Sequence, residues 1–232
     1  MPYFSSDSLR FLRGLARNNH KTWFEAHRDD YQQHVKEPIG ELVEELAIRM
    51  QGFAPEMTGD PRRSVFRIHR DVRFSRDKSP YKTHAACWFY HRAGEGKVGR
   101  EAEGGSAGFY FHLEPGGSMV GGGLWMPPRR DLNRLRAAIA RDLSRFERAA
   151  RDPRLRKRFG ELSEEGMLKR LPRGYPCGHP AERWLKHQSF TVGRSLKDAE
   201  VTRAKLPAEL ARDFQLMLPL VRWINRELGF DA

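Results

Sequence analysis

The sequence predicts an α+β fold: a single domain over residues 1–232, with a mainly antiparallel sheet on which helices from both the N- and C-terminal parts pack. Three observations predict it. Apolar residues recur at offsets of three and four within residues 1–52 and again near the C-terminus. Between residues 64 and 126 the period changes to two. Inside that strand-rich block, Pro115-Gly116-Gly117 separates two alternating runs, the signature of a hairpin. A helix over 130–150 and a mixed strand and helix region over 153–232 complete the chain.

Composition narrows the class. A chain of 232 residues, 39% hydrophobic and 11% aromatic, is long enough for one sizeable core. The net charge of +12 favours acidic partners such as phosphorylated metabolites or nucleic acid, although arginine outnumbers lysine 32 to 10 and part of the balance reflects a general arginine preference. Cys87 and Cys177 lie far apart with no CxxC pair or flanking histidines, which excludes a zinc ribbon or a disulfide framework and suits a reducing cytoplasm. No segment has the apolar length of a secretory signal or of a membrane span, which needs about 20 residues. A cytoplasmic protein with no membrane partner is expected; the cofactor and the oligomeric state are left open.

The elements follow in order. Asp7 is placed to cap a first helix with Leu9, Leu12 and Leu15 on its buried side, and Asn18-Asn19 ends it. A second helix, from about Thr22, carries Trp23, Phe24, His27 and Tyr31 as a core-facing row. Pro38 disfavours helix at Glu37, after which Ile39, Leu42, Val43, Leu46 and Met50 mark the clearest helix in the chain. Gly52 to Arg63 reads as a loop. Ser64–His69 and Thr83–Arg92 read as strands, Ala93–Ser106 as a mobile loop, and Ala107–Glu114 with Ser118–Met126 as the hairpin. Gly121-Gly122-Gly123 lacks the context of a phosphate-binding loop and reads as a flattened or bulged strand approached by a backbone or ligand. Beyond Pro127-Pro128, Leu132, Leu135, Ile139, Leu143 and Phe146 form the stripe of one long helix, with Arg130, Arg134, Arg141, Arg145 and Arg148 opposite. Strands are expected near Met167–Leu171 and Gln188–Leu196, and Pro219 should kink or split the last helix.

The stretch from Phe66 to His84, FRIHRDVRFSRDKSPYKTH, concentrates the chemistry. Between Arg62 and Lys82 there are eight Lys/Arg against two Asp, interleaved with apolar residues too regularly for a disordered tail. Arg67, Arg70 and Arg73 offer planar forks for phosphate or carboxylate; Lys78 and Lys82 offer mobile point charges.

Together with NNHKTWFEAHRDDY upstream, GFYFHLEPGGSMVGGGLWMP and GYPCGHPAERWLKHQSF, this motif resembles the conserved-hypothetical family called domain of unknown function 2461. The likeness spans nearly the whole chain. Its central pattern, RDxRFSxDKxPYK, is kept at Arg70, Asp71, Arg73, Phe74, Ser75, Asp77, Lys78, Pro80, Tyr81 and Lys82. The resemblance implies a bacterial or fungal intracellular protein and supplies no activity, cofactor or catalytic residue.

The chemistry therefore rests on the residues. Asp77 beside Lys78 is the acid/base candidate, and Arg67, Arg70, Arg73 and Lys82 are the candidate grip on an anionic small molecule, bound by a binding protein or by an enzyme acting on it. Two other readings stand beside it: a nucleic-acid-binding protein that adds the arginine face of 130–150, and a structural or interaction protein whose motif is an internal ion-pair brace. Ser75 has no evident base. His69, His84, His91 and His112 lie on or beside expected strands, but His84 and His91 differ by an odd number and point to opposite faces, so no metal site is expected.

Overall fold

The computed structural model describes residues 1–73, 76–94 and 105–230. The chain opens with α1 (Ser6–Arg17), α2 (Lys21–Ala26) and α3 (Arg28–Tyr31), then a π-turn (Gln32–Lys36) leading into α4 (Glu37–Met50). Strand β1 (Met57–Thr58) and α5 (Pro61–Ser64) precede β2 (Ala85–His91), β3 (Gly108–Leu113) and β4 (Met119–Leu124). Next come α6 (Arg129–Arg141), α7 (Leu143–Ala150), α8 (Pro153–Phe159) and α9 (Glu182–Leu185). The chain ends with β5 (Phe190–Ser195), α10 (Asp198–Val201) and α11 (Leu206–Leu228). The five strands form one antiparallel sheet in the order β1-β2-β3-β4-β5, so the expected α+β class holds.

The sheet has two chemically different faces because its side chains alternate. Cys87, Phe89, Phe109, Phe111 and Leu113 point to one side and are fully buried. There Phe214 of α11 stacks on Phe109 at 4.6 Å between ring centres and meets Phe89 at 5.4 Å. Helices α4 and α11 pack together across this side. The other side carries Trp88, Tyr110, His112, Gly121 and Gly193, only partly covered.

Polar anchors hold α11 in place. Asp213, 1% exposed, accepts from Arg158 Nε at 2.7 Å and from Arg194 Nε at 2.9 Å, tying α8 and β5 to the helix. Near the far end, Asn225 accepts from the Ala107 amide at 2.6 Å and donates to its carbonyl at 3.2 Å, satisfying a buried peptide group just before β3.

Several local expectations change. Ser5, not Asp7, caps α1 through a reciprocal bond with Ser8; Asp7 sits in the first turn, where its charge suits the helix dipole. Pro38 does not separate two helices, because the wide π-turn before it absorbs the missing N–H. The expected continuous helix over 130–150 breaks at Asp142, whose carboxylate caps α7 by accepting from the Arg145 amide at 3.0 Å, a local bond that competes with the helix ladder. Pro219 lies inside an unbroken α11 on its exposed side, where water can serve the carbonyl it leaves unpaired. Ser64–His69 keeps only part of the expected alternation: Ile68 is buried and Arg67 and His69 are exposed, but Val65 packs on the core opposite Cys87 while Phe66 lies half-buried against Tyr110, and the segment makes only isolated bridges, since β1 already takes part of the β2 edge. Met167–Leu171 is not a strand; Leu168 makes one backbone bond, to Lys186, and no ladder. Most of the loop expected over Ala93–Ser106 lies outside the described residues.

Asp213→Ala should leave the partly exposed Arg158 and Arg194, which keeps Glu200, without their shared carboxylate and destabilise the protein by about 1–3 kcal/mol. Urea denaturation reads this directly, and an unchanged midpoint would show that the clamp contributes nothing to stability.

Candidate functional site

The central motif is anchored at both ends. Asp60 caps α5 by accepting from the Arg62 and Arg63 amides at 2.8 and 3.1 Å. The chain then pairs with β2 through Phe66 N–H to Ala86 C=O at 3.0 Å. Arg70 N–H to Pro80 C=O at 2.9 Å and Lys82 N–H to Ile68 C=O at 2.8 Å close a short ladder around residues 71–79. On the return limb the Tyr81 ring stacks on Phe24 at 4.2 Å. The Asn19 side chain brackets the Tyr81 backbone, accepting its N–H at 3.0 Å and donating to its C=O at 2.9 Å. Asn19 reads in sequence as a helix end; its role here is to hold the limb that carries Lys82.

Within the loop, acids and cations pair. Asp71 binds Arg73 through Nε at 3.0 Å and NH2 at 2.7 Å. Asp77 accepts from the Ser79 hydroxyl at 2.6 Å and the Ser79 amide at 2.9 Å, and pairs with Arg70 NH1. That same Arg70 nitrogen donates to Ser79 Oγ at 2.8 Å, while the side chain remains 37% exposed. Lys78 donates to the Val72 carbonyl at 2.9 Å. Arg67 is exposed, its charge felt at Asp71. Lys82 lies half-buried with its ammonium 5.1 Å above the Phe66 ring. Phe74 and Ser75 fall outside the described residues.

Arg70 and Lys82 adjoin a second cluster on the less covered face of the sheet. Tyr110, His112 and Glu114 alternate along β3 and beyond its end, so all three point the same way. Ala86 pairs with His112 and Ala85 with Leu113; extending this register puts His84 opposite Glu114. The His84 and His112 rings lie 4.2 Å apart. His112 Nε2 is 3.1 Å from Glu114 Oε2, and its Nδ1 is 2.9 Å from the Tyr110 hydroxyl. Phe66 meets Tyr110 edge-on at 5.9 Å, joining the cluster to the motif. The cluster was legible only across two strands: His84, His112 and Glu114 share even parity, whereas the comparison of His84 with His91 stayed within one.

Electrostatics follow from this placement. Burial, then the neighbouring His112, pushes the His84 imidazole down to about 4, with Lys82 and Arg70 adding in the same direction against Glu114. Burial raises the Tyr110 phenol to about 12. Hydrogen bonds from the Ser79 hydroxyl and amide and then from Arg70 hold the Asp77 carboxyl down to about 2. The Arg73 guanidinium does the same for Asp71.

The family model described as conserved hypothetical protein (DUF2461) matches residues 7–223. The chain belongs to this family. No curated protein and no solved structure shows significant similarity to it. The DUF2461 match includes the Asn19 bracket, the whole 66–84 motif, the His84–His112–Glu114 cluster and the Asp213 clamp. Among the described residues, no helix is long and apolar enough to cross a membrane.

Because the Asp77 carboxyl lies below its ordinary value in the fold, its bonds stabilise the protein above the unfolded value of about 3.9, and that contribution is lost as pH falls toward 2. Asp77→Asn should therefore flatten the acid limb of the melting temperature between about pH 4 and pH 2 and leave its shape near neutrality unchanged. Thermal melts across that range test it; identical acid limbs would remove the loop carboxylate from the stability balance.

Proposed function

We propose that the protein binds an anionic small molecule, phosphorylated or carboxylated, against Arg70 and Lys82, where the 66–84 motif meets the less covered face of the sheet. The observation that carries this reading is the posture of Arg70. Asp77 and Ser79 engage one terminal nitrogen, so the guanidinium is oriented while the side chain stays partly exposed. Lys82 brings a second charge to the same side, since His69 faces Tyr81 across the ladder and the residues next to them, Arg70 and Lys82, both fall on its opposite face. A partly exposed, pre-oriented arginine beside a lysine suits one or two anionic oxygens, and the ordering cost is already met by the loop.

Roles within the motif separate on this reading. Asp77 orients Arg70 and, being ionised far below neutrality, is a weak proton acceptor. Lys78 closes the loop through Val72, and Arg67 and Arg73 extend the positive field around the grip. The ion pairs proposed as a brace and the anion grip are thus parts of one arrangement. The nucleic-acid reading draws less support, because the arginine stripe it needs is divided: the break at Asp142 puts Arg145 and Arg148 on α7, while on α6 Arg141 pairs with Glu227 at 3.0 Å and Arg134 donates to the Leu228 carbonyl at 3.0 Å, fastening α6 to the end of α11.

Calorimetric titration with inorganic phosphate, pyrophosphate and citrate tests the proposal. Arg70→Ala and Lys82→Ala should each weaken the best ligand by about tenfold or more, the scale of a lost charged hydrogen bond. The Arg141→Ala/Arg145→Ala double variant should bind as the wild type does. Duplex binding at physiological salt that vanishes in that double variant and survives Arg70→Ala would overturn the ranking.

A further inference from the structure

The convergence of His84, His112 and Glu114 carries an inference that the anion reading does not contain. Among the described residues these three form a group whose potential ligand atoms all lie within 4.8 Å of one another. A tetrahedral ion with bonds of about 2.0–2.1 Å holds its ligand atoms about 3.3 Å apart. One edge of such a polyhedron is already present, His112 Nε2 to Glu114 Oε2 at 3.1 Å. His84, whose ring lies 4.2 Å from that of His112 and is tilted 31° to it, has a ring nitrogen within 4.8 Å of both other ligand atoms and must turn to supply the third vertex.

The supporting groups also suit an ion. With Nδ1–H donating to the Tyr110 oxygen at 2.9 Å, His112 turns an unprotonated Nε2 toward Glu114, the tautomer that metal ligation requires. The Thr83 hydroxyl lies 3.4 Å from the other Glu114 oxygen, and the Glu114 backbone is pinned on both sides by Ser118, whose hydroxyl accepts its N–H at 3.0 Å and donates to its C=O at 2.8 Å. Gly117 matters at this turn: a Cβ there would stand 3.0 Å from Glu114 Oε2. His112 is only 14% exposed while Glu114 is 39% exposed, so the group opens to solvent on one side.

We propose that His84, His112 and Glu114 bind a divalent first-row transition-metal ion of the zinc or iron(II) class, with at least one coordination position left open. Two imidazoles and one carboxylate form a mixed nitrogen and oxygen set matched to such ions rather than to calcium or magnesium. The neighbouring cations then gain a meaning. Arg70 and Lys82 beside a dication are unfavourable unless an anion lies between them, so an oxyanion that takes the open position and also meets Arg70 and Lys82 would bind together with the ion. This coupling, unlike the metal site itself, rests on the anion reading above.

The probes are Co²⁺ and methylphosphonate, used with the full chain free of any histidine tag. Titration should give one Co²⁺ per chain, with the visible absorption of a low-coordinate nitrogen and oxygen site and a rise of a few degrees in melting temperature. His84→Ala, His112→Ala and Glu114→Gln should each lower the affinity at least tenfold, and His34→Ala, outside the group, should not change it. Glu114→Gln keeps size and hydrogen bonding, so it decides the case where a histidine variant fails to fold. Methylphosphonate should tighten Co²⁺ binding, and Arg70→Ala should abolish that effect without weakening Co²⁺ binding measured in its absence. Absence of Co²⁺ binding by the folded wild type, or binding indifferent to all three ligand variants, overturns the metal site. Co²⁺ binding that no anion strengthens leaves the metal site standing and overturns the coupling.

Discussion

The close approach of α11 to β4 is the constraint on which the rest of the molecule depends. At Gly122 an added Cβ would lie 2.8 Å from Met217 Sδ and 3.2 Å from the Phe109 ring. At Gly123, with φ +125, it would lie 2.0 Å from the Phe190 carbonyl oxygen. Three successive glycines in β4 let the helix settle onto the sheet and let β5 pair tightly on the other edge of the strand. The Asp213 clamp and the Asn225 bracket set where along the sheet it settles. With one face so completely covered, alternation along β2 and β3 leaves the polar side chains of opposite parity on the other.

Much of this fold was legible because hydrophobic period and turn chemistry report local structure directly. The hairpin around Pro115-Gly116-Gly117, the glycine run as a strand under close approach, the stripe of α4 and the strand at Phe190–Ser195 all follow from such signals. The misreadings share a cause: each depended on a competing bond that periodicity does not contain. Asp142 offers a cap in the middle of an otherwise continuous stripe, a π-turn accommodates Pro38, and Pro219 sits on the wet side of α11. Ser64–His69 alternates like a strand but finds the β2 edge partly taken.

The site was half legible for a similar reason. A basic motif announces itself by composition, and its exposed arginines and paired aspartates are where alternation and loop logic put them. Where the limb that carries Lys82 lies is decided elsewhere, by Asn19 and Phe24 gripping Tyr81 from 62 and 57 positions away in the chain. The His84, His112 and Glu114 group needed the register between two strands, a quantity no single stretch of sequence carries. The motif and the histidine group therefore belong to one surface although only the first is visible as a pattern.

That shared register limits how relatives of this chain can differ in length. Adding or deleting one residue within Ala85–His91 or Gly108–Leu113 would exchange Phe89, Phe109 and Phe111 for their polar neighbours and disperse the histidine group in the same stroke. The pairing of the two strands does not by itself fix the number of residues that join them. The two strands should therefore hold their lengths among relatives, so the packing that keeps the molecule folded also protects the histidine group on its opposite face from drift.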